Sequence, residues 1–196
     1  MTTAGVHPGR NILLWPRSNW RMSEPSDFVP KMTAALHPKV TVDGHAHAYR
    51  VVTVVAVDAG EVLFRVNGSV TDRPSRYSIQ IDERRHIDLA PDTPLDSMKV
   101  DATWRFLNHS CAPNAFLQGL DVVALRPIAQ GEAVTYHYCT TEFDMAVPFE
   151  CMCGHHQCLG TVRGFAHLPL TEQMRLQPWL AEHLRRRLNA AARTRV

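Results

Sequence analysis

The chain has 196 residues, of which 45% are hydrophobic, enough for one well-filled core with terminal extensions. Its formal net charge is +2, but residues 171–196 hold six Arg and two Glu, so the rest of the chain carries a net charge of −2. The positive charge is therefore concentrated at the C-terminal end, where we expect the solvated face of a helix rather than direct nucleic-acid binding.

The sequence lacks the features of secreted and membrane proteins. No N-terminal segment combines a basic start with an apolar run, and no stretch approaches the roughly 20 apolar residues that span a bilayer. Five cysteines, three of them within residues 151–158, do not resemble the dispersed pairs of a disulfide scaffold. We therefore expect an intracellular, cytoplasmic protein in a reducing compartment, without membrane association.

In chain order, residues 1–38 are predicted to be an irregular N-terminal extension. Five prolines interrupt this region, and neither a helical nor a strand period persists in it.

The middle of the chain is predicted to consist mainly of short strands. Residues 49–57 and 61–66 are rich in apolar and β-branched residues, and turn-forming residues separate them, which favours a β-hairpin. Further strands are predicted at residues 77–81, 85–89 and 122–125.

Only the C-terminal end shows a helical pattern. Pro178 is suited to the first turn of a helix, and leucines recur every four residues. These leucines are Leu176, Leu180, Leu184 and Leu188.

Three thiols lie within eight positions of one another, at Cys151, Cys153 and Cys158. Gly154 and Gly160 allow the chain to form a tight knuckle around them. This spacing is typical of a structural zinc site, although buried, reduced cysteines without a metal are the alternative.

A tetrahedral zinc ion needs a fourth ligand. The candidates are Cys111 and Cys139, with His155 and His156 as nitrogen donors inside the knuckle itself. The spacing alone does not choose among them.

The string RFLNHSCAPN at residues 105–114 resembles the RFxNHSCxPN signature of SET-domain protein lysine methyltransferases. Three further segments resemble family motifs in the family order. They are AGEVL at residues 59–63, GEAVTYHY at 131–138, which is similar to GEELTYDY, and the post-SET CxCxxxxC knuckle within 149–160.

The resemblance implies a mainly β fold, the SET-domain (β-clip) fold of small sheets with a pseudoknot, followed by a post-SET zinc knuckle and a C-terminal helix. In this fold the NHSC segment and the segment ending in Tyr138 pass beside each other. The implied organisation is an extension at 1–38, a SET domain at 39–148, the zinc knuckle at 149–166 and a helical extension at 167–196.

The resemblance also implies a zinc ligand set. In post-SET relatives the cysteine of the NHSC string joins the three knuckle cysteines. This selects Cys111 with Cys151, Cys153 and Cys158, and leaves Cys139 without an assigned role.

By the same resemblance, Tyr138 is the catalytic tyrosine. Tyr136 occupies the family's Phe/Tyr switch position, where Tyr favours monomethylation. Asn108 and His109 match positions that bind S-adenosylmethionine, and Tyr77 is a candidate for the substrate channel.

Four further residues are assigned to the cofactor wall, namely Arg105, Phe106, Tyr49 and Arg50. Arg105 and Phe106 support it beside the NHSC string. The family's GxG motif aligns with Ala48, Tyr49 and Arg50, so side chains replace both glycines, while Gly44 remains as a nearby loop glycine.

These assignments predict an S-adenosylmethionine-dependent methyltransferase acting on a lysine side-chain amine of a protein or peptide. The replaced glycines favour an alternative, a non-catalytic SET-like zinc-containing binding module. A third hypothesis is a pocket redirected to a small-molecule amine.

Overall fold

The structure is a computed structural model that describes residues 39–45 and 48–193. The predicted extension at residues 1–38 lies outside the described part of the chain. Within that part, no helix is both long and apolar enough to cross a membrane.

Short strands dominate the described chain, as the sequence predicts. They are β1 (Val40–Asp43), β2 (Arg50–Thr53), β3 (Val62–Arg65), β4 (Ser69–Thr71), β5 (Ile79–Gln80), β6 (His86–Asp88), β7 (Asn108–His109), β8 (Ala115–Gln118), β9 (Asp121–Ala124), β10 (Thr135–Tyr136), β11 (Phe149–Glu150) and β12 (Thr161–Val162). The α-helices are α1 (Leu95–Asp101), α2 (Leu170–Leu176) and α3 (Glu182–Arg193).

The strands form small sheets of two or three members. The pairs are β1–β2, β7–β10 and β11–β12, and the three-stranded sheets have the orders β3–β9–β8 and β4–β6–β5. The predicted mainly β fold of small sheets is therefore confirmed.

The predicted hairpin between residues 49–57 and 61–66 is wrong. Strand β2 pairs antiparallel with β1, and β3 pairs with β9, almost 60 residues further along the chain. Val51, Val52 and Thr53 are all buried, so both faces of β2 are covered. That burial requires partners distant in sequence, and the local β-branched pattern does not identify them.

The NHSC segment and the tyrosine segment lie beside each other, as predicted. β7 and β10 pair in parallel, with Asn108 opposite Thr135 and His109 opposite Tyr136. This pairing joins parts of the chain that are 27 residues apart and positions the candidate site.

A second core lies under the C-terminal helices. Leu176, Leu180 and Leu184 are buried in it together with Cys139 and Phe165. The helical spacing of these leucines does not, however, correspond to one continuous helix.

The chain leaves the α-helical path after α2. Pro178 lies within a short 3₁₀ turn, Gln177–Trp179, and the next residue, Leu180, has an extended conformation. Proline has no N–H to donate to the preceding turn. The chain therefore forms two shorter helices, each of which contributes leucines to the same core.

Candidate functional site

Two tyrosines lie at the junction of β10 and the 3₁₀ turn Tyr138–Thr140. The rings of Tyr136 and Tyr138 are 4.8 Å apart between centroids, and Tyr136 is only 4% exposed. The Tyr138 hydroxyl donates a 2.6 Å hydrogen bond to the carbonyl oxygen of Leu107. Burial raises the pKa of both phenols above the usual value, so both remain neutral.

Both tyrosines face a narrow cavity of about 40 Å³. Tyr77, predicted for the substrate channel, and Arg105, predicted for the cofactor wall, also line it. The Arg105 guanidinium lies 4.2 Å from the centre of the Tyr77 ring and 2.8 Å from an oxygen of Asp88. Arg105 thus supports the wall of this cavity.

Glu142 is a cavity residue that sequence reasoning missed. It is 7% exposed and lines the same cavity as the tyrosines. Its carboxylate accepts a 2.7 Å hydrogen bond from the backbone N–H of Gln80, yet burial raises its pKa to about 7. A single glutamate four residues after Tyr138 gives no pattern in the sequence that could have identified it.

Three of the predicted cofactor residues, Tyr49, Phe106 and Asn108, contact one another outside the lining of this cavity. The Asn108 amide donates a 3.0 Å hydrogen bond to the backbone oxygen of Tyr49, and the Tyr49 ring meets Phe106 edge-on at 5.4 Å. The Lys99 ammonium lies 4.8 Å from the centre of the Tyr49 ring. Lys99 was also missed, because a lysine on a short helix carries no distinctive sequence signal.

Arg50 does not join this group of side chains. Its guanidinium lies 2.7 Å from Asp43 across the β1–β2 pair, with the side chain 55% exposed. Gly44 has φ +109°, and a Cβ there would clash with the backbone oxygen of Ala48. Gly44 is therefore required where the chain after β1 approaches the backbone of Ala48.

His109 connects the tyrosine segment to the cysteines. Its Nδ1 accepts a 3.2 Å hydrogen bond from the backbone N–H of Tyr138, which assigns the ring proton to Nε2. That Nε2 lies 3.3 Å from the Cys111 sulfur. Burial lowers the pKa of His109 to about 4, so the ring is neutral. The side chain thus contacts the thiols rather than Tyr49 and Phe106.

The four cysteines that the resemblance selects lie together. The Sγ atoms of Cys111, Cys151, Cys153 and Cys158 are within 4.8 Å of one another, and those of Cys111 and Cys151 are 3.9 Å apart. Tetrahedral zinc with Zn–S bonds of about 2.3 Å needs sulfurs about 3.8 Å apart. The donor set therefore fits zinc. Cys139 is buried in the second core and is not part of this group.

Comparison with known proteins identifies similar domains. The protein-family model described as SET domain matches residues 15–139. Methyltransferase flvH of Aspergillus flavus is 26% identical over 168 residues, covering 82% of this chain and 87% of flvH. Histone-lysine N-methyltransferase trithorax of Drosophila virilis is 32% identical over 132 residues, covering 58% of this chain but only 3% of trithorax.

Among solved structures, KRYPTONITE in complex with mCHH DNA, H3(1-15) peptide and SAH matches with a TM-score of 0.49 and 23% identity. The match covers 65% of this chain and 30% of the KRYPTONITE chain.

Proposed function

Because this chain belongs to the SET-domain family, we propose that it transfers the methyl group of S-adenosylmethionine to a lysine side-chain amine of a protein or peptide. The resemblance that the sequence motifs predict is confirmed by the match over residues 15–139. Lysine as the acceptor is supported by relatives named histone-lysine N-methyltransferases, among them trithorax at 32% identity.

The observation that carries the proposal is the narrow cavity with two neutral phenols and one buried carboxylate. Its aromatic walls suit an alkyl chain that ends in an ammonium or a methylated amine. Glu142 provides a hydrogen-bond acceptor for an amine on the same wall, which Arg76 and Arg105 also line. A lysine side chain has this combination of an apolar stem and a cationic end.

The acceptor amine must lose a proton before it can attack a methyl carbon. A lysine amine has a pKa of about 10.4 in water, and burial beside the positive charges of Arg76 and Arg105 lowers that value. The proton would leave to solvent. The nitrogen lone pair would then form the new N–C bond as the methyl–sulfur bond breaks, with its electron pair remaining on sulfur and S-adenosylhomocysteine as the leaving product. Tyr138 would orient the amine, because its hydroxyl hydrogen is already donated to Leu107 and its oxygen can still accept.

The group around Asn108 would hold the cofactor. When bound, S-adenosylmethionine supplies an electrophilic methyl group on a sulfonium sulfur. Each part of the cofactor would have a suitable partner here. The exposed amide of Asn108 fits its polar groups, and the rings of Tyr49 and Phe106 fit its aromatic base. The ammonium of Lys99 fits its carboxylate. Arg50, which stands in place of the second glycine of the GxG motif, pairs with Asp43 and does not enter this group.

The four thiols would hold a structural zinc ion. One ligand, Cys111, belongs to the NHSC segment, and the other three belong to the knuckle. A zinc ion would therefore fasten the knuckle to the segment that carries Asn108 and His109. Its proposed role is to hold the site together rather than to take part in methyl transfer.

The test uses the zinc-loaded full chain. Calorimetric titration with S-adenosylmethionine and S-adenosylhomocysteine measures cofactor binding. Mass spectrometry then follows methylation of a histone H3 N-terminal peptide, with the same peptide carrying arginine at every lysine as the matched control. We expect cofactor binding and methylation of the lysine peptide alone.

Two results would overturn the proposal in different ways. Absence of cofactor binding, even with the peptide present, would favour the non-catalytic binding module. Methylation of free lysine or n-butylamine, without methylation of any lysine in a panel of peptides and folded proteins, would favour the redirected pocket.

A further inference from the structure

A second and larger cavity, of about 230 Å³, lies between β8 and the C-terminal helices. Phe116, Leu125 and Trp179 form part of its apolar wall. None of the residues assigned to the amine or to the cofactor lines it. The cavity is therefore separate from the proposed methyl-transfer site.

His137 borders this cavity and has unused hydrogen-bonding capacity. It lies between Tyr136 and Tyr138, is 1% exposed, and neither ring nitrogen has a hydrogen-bond partner among the described residues. Buried polar atoms in folded proteins normally have partners. An occupant of the cavity that accepts a hydrogen bond from His137 would give one of these two nitrogens a partner.

The charged groups around the cavity are all basic. Arg126 and Arg175 line it, and no acidic side chain does so among the described residues. Each guanidinium also lies 2.7 Å from a carboxylate oxygen. Arg126 pairs with Glu132 and Arg175 pairs with Glu172, and neither glutamate lines the cavity. A guanidinium has five N–H donors, so each arginine keeps donors for another acceptor.

We propose that this cavity binds a small carboxylate with an apolar body, such as an arylacetate. The apolar wall would take the ring, and the carboxylate would accept hydrogen bonds from Arg175 and the imidazole of His137. An engineered apolar cavity of about 150 Å³ binds benzene. A cavity of about 230 Å³ is therefore large enough for one aromatic ring with a short acidic chain.

Phenylacetate is the probe that tests this inference on the zinc-loaded full chain. Calorimetry and NMR of isotope-labelled histidines would follow its binding. The controls are phenethylamine, with the same ring and the opposite charge, and neutral toluene. We expect saturable phenylacetate binding with a Kd on the order of 1 mM or tighter, together with a shift of the His137 ring resonances.

Arg175→Gln removes the charge next to the carboxylate, and we expect it to weaken phenylacetate binding about tenfold. Arg163→Gln is the matched control, because Arg163 is exposed and does not line the cavity. Thermal unfolding checks that each variant is folded. If Arg175→Gln does not fold, Arg126→Gln removes the other guanidinium from the same cavity.

Several results would overturn the inference. Equal binding of phenethylamine or toluene would show that the charge is not recognised. Unchanged phenylacetate binding in the folded arginine variant would show that the site lies elsewhere. Absence of saturable binding, or of any shift at His137, would show that the cavity does not take this class of ligand. None of these readouts depends on methyl transfer.

Discussion

The hydroxyl group of Tyr138 donates a 2.6 Å hydrogen bond to the carbonyl oxygen of Leu107, the residue directly before β7. Asn108, the first residue of β7, belongs to the group proposed to hold the cofactor. One hydrogen bond thus connects the proposed catalytic tyrosine to the segment on which the cofactor would bind. The contact adds to the β7–β10 pairing that holds the two proposed binding sites beside each other.

Replacement of Tyr138 by phenylalanine tests its catalytic role. We expect Tyr138→Phe to reduce kcat for methyl transfer about 100-fold, because a positioned polar group is lost at the reacting centre. The lost hydrogen bond to Leu107 is expected to reduce the free energy of unfolding by only about 1 kcal/mol. Single-turnover methylation and urea unfolding measure the two effects. Full activity in a folded Tyr138→Phe protein would disprove the assignment.

Tyr136 is expected to limit the number of methyl groups added. Its ring is buried 4.8 Å from Tyr138, so its hydroxyl would occupy space beside the proposed position of the acceptor amine. We predict that the wild-type protein adds one methyl group and that Tyr136→Phe adds two or more. Mass spectrometry of the product peptide over time measures this number. An unchanged product distribution would show that Tyr136 does not set it.

Glu142 is expected to make stability depend on pH. Burial raises its pKa from 4.5 to about 7. Between these values the folded chain keeps a proton that the unfolded chain has lost, so the free energy of unfolding falls as the pH rises. Above the folded-state pKa the ionised carboxylate lowers stability by about 3 kcal/mol.

Glu142→Gln should abolish this dependence while leaving an oxygen to accept the Gln80 hydrogen bond. We expect the variant to be more stable than the wild type near pH 8, and this advantage to disappear as the pH approaches about 4.5. Urea unfolding over this pH range measures the difference. Glu83→Gln, at an exposed glutamate, should follow the wild type. Identical pH profiles for wild type and Glu142→Gln would contradict the prediction.

Removal of one thiol tests the zinc site. Structural zinc contributes on the order of 10 kcal/mol in zinc-finger peptides, so we expect Cys153→Ser to lower Tm by about 10 °C or more. Metal analysis should find one zinc per chain in the wild type and less in this variant. Cys139→Ala is the matched control, since Cys139 lies in the second core and should leave the zinc content unchanged. Equal loss of zinc in both variants would contradict the predicted ligand set.

Some features were predictable because they depend on residue identity at close spacing. The NHSC string, the two tyrosines and the three clustered cysteines each lie within about ten positions. The residue types in such strings can be read without knowing the fold. They indicated the SET-domain family, which the match over residues 15–139 confirms.

Pairing between distant strands could not be predicted in the same way. The runs at residues 49–57 and 61–66 have the composition of a hairpin, yet each pairs with a different partner. The final leucines have helical spacing, yet the chain departs from the α-helix at Pro178. Strand β3 has its partner far away in sequence, so its pairing outweighs the local pattern. At the leucines a local residue, Pro178, interrupts the helix.

The sequence by itself therefore determined the family, the tyrosine pair and the three clustered thiols, because these are properties of residue type and order, and the family resemblance added Cys111 as the fourth thiol. Only the tertiary structure decided that Glu142 lies beside the tyrosines, that Arg50 pairs with Asp43, and that His137 borders a second cavity. The environment of a side chain depends on neighbours brought from distant parts of the chain, and local sequence does not identify those neighbours.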